Sequence, residues 1–223
     1  DRVNQDSLNA MIASILPKLE EVRGLKASKE VDGALASQAE FVEYMKEVLF
    51  AFLTEEDVAL QVEIMKKFGF LPTGFGGSEQ FFQMYTSNVL GVYDPKRDAL
   101  RVNDSISISE LQLVAGHELV HGLQDLNFDL ENFTKITRDG EASFYSDIDR
   151  ARIFMVEGDA QSTVYSFQSL GKNPKSVDIS ILDAGNKELL SYKTEHNPMA
   201  NFIRYMAMPY HHATKTITLY AAE

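Results

Sequence analysis

His117-Glu118-Leu119-Val120-His121 is the stretch of this chain most able to do chemistry. On a helix, residues four apart lie on one face about one turn apart, so both imidazoles can approach one metal ion from the same side. The carboxylate of Glu118 then sits next to the ion, where a water would bind. This His-Glu-x-x-His arrangement is that of zinc hydrolases, with two ligands and a general base. The bland alternative is a helix with two ordinary surface histidines. The surroundings of the motif decide between them.

A convincing helix carries the motif. Ser107-Ile108-Ser109-Glu110 is a capping box, and Leu111, Val114, Leu119, Leu123 and Leu126 follow at helical spacing. Gly116 precedes the first histidine, which suggests close approach of another backbone. A third ligand is available from Glu157. Its helical neighbours Ile153, Phe154, Ala160 and Val164 are apolar, so its carboxylate belongs to a face expected to be buried. A buried charge needs a counter-charge, and a zinc ion would supply it; pairing with Arg150 or Arg152 is the alternative. Asp159 points elsewhere on a helix and is a candidate for orienting a histidine from behind the ligands.

Gln80 to Tyr85 and Val89 to Tyr93 read as strands, with a turn at Asp94–Asp98 and a return strand from Ala99 to Val102. A strand edge beside the motif helix could take an extended peptide by strand addition; an ordinary sheet edge is the competing reading.

His117 to Leu130, reading HELVHGLQDLNFDL, together with Val156-Glu157-Gly158-Asp159-Ala160, resembles predicted bacterial zinc metallopeptidases of the gluzincin type. Val22-Arg23-Gly24-Leu25, Leu90 to Pro95 and Met208-Pro209-Tyr210 are similar to the same family. The resemblance implies an α+β, mainly helical, zincin-like fold, with a small antiparallel sheet or hairpin beside the motif helix. It implies His117, His121 and Glu157 as Zn²⁺ ligands, Glu118 as general base and a peptide or protein as substrate. Two features depart from thermolysin-like enzymes. The stretch between His121 and Glu157 is longer, and Gln161 occupies the place of the histidine-orienting aspartate. A glutamine carbonyl can accept the same hydrogen bond, more weakly. Tyr210, His211 and His212 are the candidates for an oxyanion donor; His196 has no supporting context.

The rest of the sequence bounds the function. With 21 Lys and Arg against 33 Asp and Glu, the net charge is −12, which disfavours nucleic acid and anionic membrane as partners. There is no cysteine, so any zinc site must use His and carboxylate ligands. No run approaches the ~18 apolar residues of a membrane span. The first residue is Asp1, not methionine, so removal of a leader and an extracytoplasmic address (secreted, periplasmic or surface-anchored) are expected.

Along the chain, residues 1–70 read as a helical N-terminal part and 71–223 as a zincin-like catalytic part of one domain. Leu8, Met11, Ile12, Ile15, Leu16 and Leu19 form an apolar stripe, which Pro17 should end or kink. Ser37-Gln38-Ala39-Glu40 opens a second helix, to about Leu53. Thr54 caps a third, which Gly69 stops. Thr73 to Ser78 is a linker, Asn127 to Gly140 a polar loop, Gly171 to Pro198 irregular or a small hairpin, and Ala200 to Ala222 helical with a break at Pro209. Besides peptide hydrolysis, two further readings fit: a zinc-bearing binding or adhesion module without peptidase activity, and a helical scaffold without metal.

Overall fold

The computed structural model describes residues 3–50, 53–87, 89–135, 147–168 and 213–214. It is mainly helical with one small mixed sheet. Helix α1 (Gln5–Arg23) is followed by strand β1 (Asp32–Ala36), α2 (Gln38–Phe50), α3 (Glu55–Lys67) and α4 (Ser78–Thr86). Strands β2 (Gly91–Asp94) and β3 (Ala99–Asn103) form a hairpin, and α5 (Ile108–Phe128), α6 (Leu130–Phe133) and α7 (Asp147–Gln168) follow. No helix among the described residues is long and apolar enough to cross a membrane.

Local sequence starts three of these helices, α2, α3 and α5, where expected. Ser107 accepts from the Glu110 amide, and the Glu110 carboxylate accepts from the Ser107 amide at 3.0 Å, closing the box at the head of α5. Ser37 and Glu40 do the same for α2, and Thr54 with Asp57 for α3. Each box satisfies two amides that a helix start otherwise leaves bare.

Four elements differ from the sequence reading. Helix α1 runs straight through Pro17. Pro17 lies on the exposed face, as does Ala13, whose carbonyl loses its partner to the proline and can turn to water. The cost of about 3 kcal/mol is outweighed by burial of Leu8, Ile12, Ile15 and Leu19, each worth roughly 1.5–3 kcal/mol. Residues 80–85, read as a strand, belong to α4. Phe82 and Thr86 are buried one turn apart and Phe81 stacks on Tyr85, contacts that only helical spacing makes. The start of the expected polar loop, residues 127–133, is instead the end of α5 and the single turn α6. Asp129 (φ 56°) closes the first helix and caps the second.

The sheet is the fourth difference. A simple antiparallel hairpin was expected; β1 joins it in parallel on the far side of β3, giving the order β1-β3-β2. The outer backbone of β1 is covered by one side chain. The Gln5 amide donates to the Gly33 carbonyl at 2.7 Å and accepts from the Leu35 amide at 3.2 Å. Strand β2 therefore forms the other margin of the sheet. The Asn103 amide donates to the Leu90 carbonyl. By alternation, Val92 and Asp94 face β3, while the backbone of Gly91 and Tyr93 faces outward.

The main core gathers α1, the sheet, α5 and α7. Leu8, Leu19, Leu100, Val102, Leu111, Leu119 and Leu123 are fully buried in it, with Ala160 and Val164 of α7. A smaller cluster of Val62, Met65, Leu71 and Phe75 lies between α3 and the chain leading into α4.

Gly91 sets how closely β2 can lie on α5. A Cβ there would stand 2.4 Å from Val114 Cγ1 and 3.4 Å from Glu118 Cγ. Val114 is β-branched and stiff in a helix, so it cannot swing away. Gly91→Ala is expected to destabilise the protein by about 1–3 kcal/mol. Adding Val114→Ala should recover part of that loss in a denaturant titration; strictly additive effects would show that the contact is not the cause.

Candidate metal centre

Helix α5 presents His117 and His121 on one face, and α7 brings Glu157 against them. Glu157 Oε2 lies 3.0 Å from His117 Nε2 and 3.5 Å from His121 Nε2. The two Nε2 atoms are 3.1 Å apart, with the rings edge to face at 4.6 Å between centroids. Among the described residues these three side chains form the group able to hold a metal ion. Arg152, weighed as a partner for Glu157, instead lies 3.6 Å from Asp149.

Packing of the two helices produces this meeting. Ala160 and Val164, one and two turns beyond Glu157, enter the core with Ala115, Leu119 and Leu123 of α5. Gly116 does not admit a backbone, as its position suggested. A Cβ there would stand 3.7 Å from Val164 Cγ2, an ordinary side-chain contact. The chemically consequential close approach is at Gly91.

Glu118 projects from the neighbouring face of α5 toward the sheet. Its Oε2 accepts a hydrogen bond from the Tyr93 amide at 2.8 Å. The outward-facing backbone of β2 thus holds one carboxylate oxygen of the candidate base.

The remaining expected residues fall in different places. Among the described residues Asp159 hydrogen-bonds to neither His117 nor His121. Its Oδ2 accepts from Gln124 Nε2 at 2.8 Å and from Arg23 Nε at 2.9 Å. Among the described residues no hydrogen bond joins Gln161 to a histidine; the carboxamide on His121 is that of Gln124, whose Oε1 is 2.8 Å from Nδ1. Sequence reading did not single out Gln124. The signal available was its position three residues after His121, one turn along the same face. Tyr210, His211, His212 and His196 lie outside the described residues.

The electrostatics follow from enclosing opposite charges together. Burial by itself would raise the Glu157 pKa. The charge of His121 and the hydrogen bonds from both imidazoles prevail and hold it well below the usual carboxylate range. Burial likewise disfavours a charged His121, but the Glu157 carboxylate, its hydrogen bond and the Glu118 charge raise that group to about 9. A close carboxylate–imidazolium group is thus what these residues form with protons alone, and a metal cation would compete for the same atoms.

No protein family, curated protein or solved structure matches the chain.

A pH dependence follows for protein stripped with a chelator. His121 titrates above its ordinary 6.5 when folded, so its contribution is complete below 6.5 and is lost as pH rises through about 9. Glu157 titrates below its ordinary 4.5 when folded, so its contribution is complete above 4.5 and is lost in acid. The stability difference between wild type and Glu157→Gln should therefore be largest between pH 4.5 and 6.5 and shrink on either side. Thermal melts across pH check this; a difference that does not vary with pH would contradict it.

Proposed function

We propose that this chain is a zinc-dependent hydrolase of peptide bonds with a zincin-like catalytic part. The observation that carries the proposal is the convergence of His117 Nε2, His121 Nε2 and Glu157 Oε2, with separations of 3.0, 3.1 and 3.5 Å. Ligand atoms of a tetrahedral ion with bonds of about 2.0–2.1 Å stand about 3.3 Å from one another. The donor set of two imidazoles and one carboxylate is that of a catalytic zinc site. With three protein ligands, one position of a tetrahedron stays open to water or substrate, as catalysis needs.

When bound, zinc supplies Lewis acidity that makes water nucleophilic near neutral pH and polarises a carbonyl. The chain's own residues handle the proton. Glu118 follows a ligand directly in sequence, and its Oε2 is held by the Tyr93 amide. As water oxygen bonds to the carbonyl carbon, Glu118 takes a proton from it. It then delivers a proton to the nitrogen as the C–N bond breaks.

The sheet supports an amide substrate over other hydrolysable groups. Strand β2 lies at a margin of the sheet, with the backbone of Gly91 and Tyr93 turned outward beside Glu118. An extended peptide could add to that margin through sequence-tolerant hydrogen bonds to backbone groups other than the Tyr93 amide, which Glu118 holds. The net charge of −12 favours capture of basic over acidic peptides.

Purified protein is expected to carry close to one zinc per chain and to cleave a peptide library, with activity lost to a chelator and restored by zinc. Glu118→Gln should keep the metal and lose activity by at least about 10²-fold. Glu157→Ala should lose most of the metal by elemental analysis. Zinc without cleavage in the wild type would favour a metal-bearing binding module. No zinc at all would return the chain to a metal-free helical scaffold.

A further inference from the structure

We infer that Gln124 is a positioning residue that fixes which nitrogen His121 offers to a metal, and that Asp159 and Arg23 hold Gln124 in place. This rests on the reading of His117, His121 and Glu157 as ligands of one ion.

Two acceptors orient the Gln124 amide. Its Nε2 lies 3.0 Å from the Val156 carbonyl oxygen and 2.8 Å from Asp159 Oδ2. A carbonyl and a carboxylate both require a donor, so the amide NH₂ must face them. Turning the amide over would set its oxygen against two other oxygens. Gln124 is only 3% exposed, so water could not relieve that arrangement.

The amide oxygen therefore faces His121, with Oε1 2.8 Å from Nδ1. An amide oxygen only accepts, so Nδ1 carries a proton. Nε2 is then the ring nitrogen available to a metal. It is also the atom that stands 3.1 Å from His117 Nε2 and 3.5 Å from Glu157 Oε2. The same hydrogen bond fixes the rotation of the ring.

The tether continues away from the site. Asp159 sits two residues after Glu157 on α7, and Arg23 Nε binds its Oδ2 at 2.9 Å from the last turn of α1. Residues of three helices thus meet around one amide on α5. Gln124 also ties α5 to the Val156 carbonyl of α7, the helix that carries Glu157. One side chain links the second histidine to the segment bearing the third candidate ligand.

A merely packed glutamine would leave the His121 tautomer free, and this separates the two roles. With ¹⁵N-labelled histidine, metal-free wild type at a pH above about 9, where the His121 ring carries a single proton, should show a slowly exchanging Nδ1–H. Gln124→Leu should lose that signal, and its zinc affinity, measured against a chromophoric chelator, should fall about 10–100-fold. The paired variant Q124E/D159N keeps an acceptor toward Nδ1 and lets the new amide at position 159 donate to the new carboxylate, so that only the Val156 carbonyl loses its donor. It should retain the signal and bind zinc more tightly than Q124L.

An unprotonated Nδ1 in the wild type overturns the inference. So does a Q124L protein with unchanged signal or unchanged zinc affinity. The wild-type spectrum needs no variant, so it decides the matter even if Q124L does not fold. A wild type that binds no zinc removes the proposed function and this inference together. Tight zinc binding in both wild type and Q124L removes only this inference.

Discussion

A carboxylate enclosed between two helices demands positive charge, and much of this structure can be read from that demand. Glu157 is carried inward by a helix whose next two turns, at Ala160 and Val164, belong to the core. Its charge cannot be left unpaired there without a large penalty. The side chains it meets are the two imidazoles of α5, at 3.0 and 3.5 Å. An imidazole can accept a proton or give its lone pair to a cation, so the same geometry that suits a protonated site would also suit a metal-loaded one. The packing of α5 on α7 is therefore more than core formation: it sets the spacing of the donor atoms.

The sheet contributes a different constraint. It does not supply a candidate ligand, but it fixes the carboxylate that would act on water. Gly91 lets the strand lie almost on the surface of α5, and the next outward-facing amide, that of Tyr93, reaches Glu118. Both carboxylates act on the charge of His121, but they differ in what holds them. Glu157 is neutralised by imidazoles, whereas Glu118 is held by a neutral backbone donor. Those surroundings would suit the separate roles of ligand and base proposed for the two groups.

What could be read from the sequence was what is decided locally. The boxes at Ser107–Glu110 and Ser37–Glu40 close within four residues, and the helices begin there. The spacing of His117 and His121 is a property of any α-helix. Even the inward turn of Glu157 was visible in the apolar residues around it. The features that could not be read depend on partners distant in sequence. Strand β1 has the sequence Asp-Gly-Ala-Leu-Ala, with no β-branched residue, and exists because β3 pairs with it. Residues 80–85 are aromatic-rich enough to suit either a strand or a helix, and burial of Phe82 and Thr86 on one side selects the helix. Gln124 looks like any polar residue on a helix until Val156 and Asp159 arrive to orient its amide.

The Gln5 amide mimics one peptide unit of a missing neighbour. By occupying a carbonyl and an amide of β1, it removes the handholds on which a foreign ribbon would grow. Lateral accretion at that flank is discouraged without a proline. The consequence is polarity across a sheet of only three strands: one flank is plugged by the protein's own first helix, while the other gives its Tyr93 amide to Glu118.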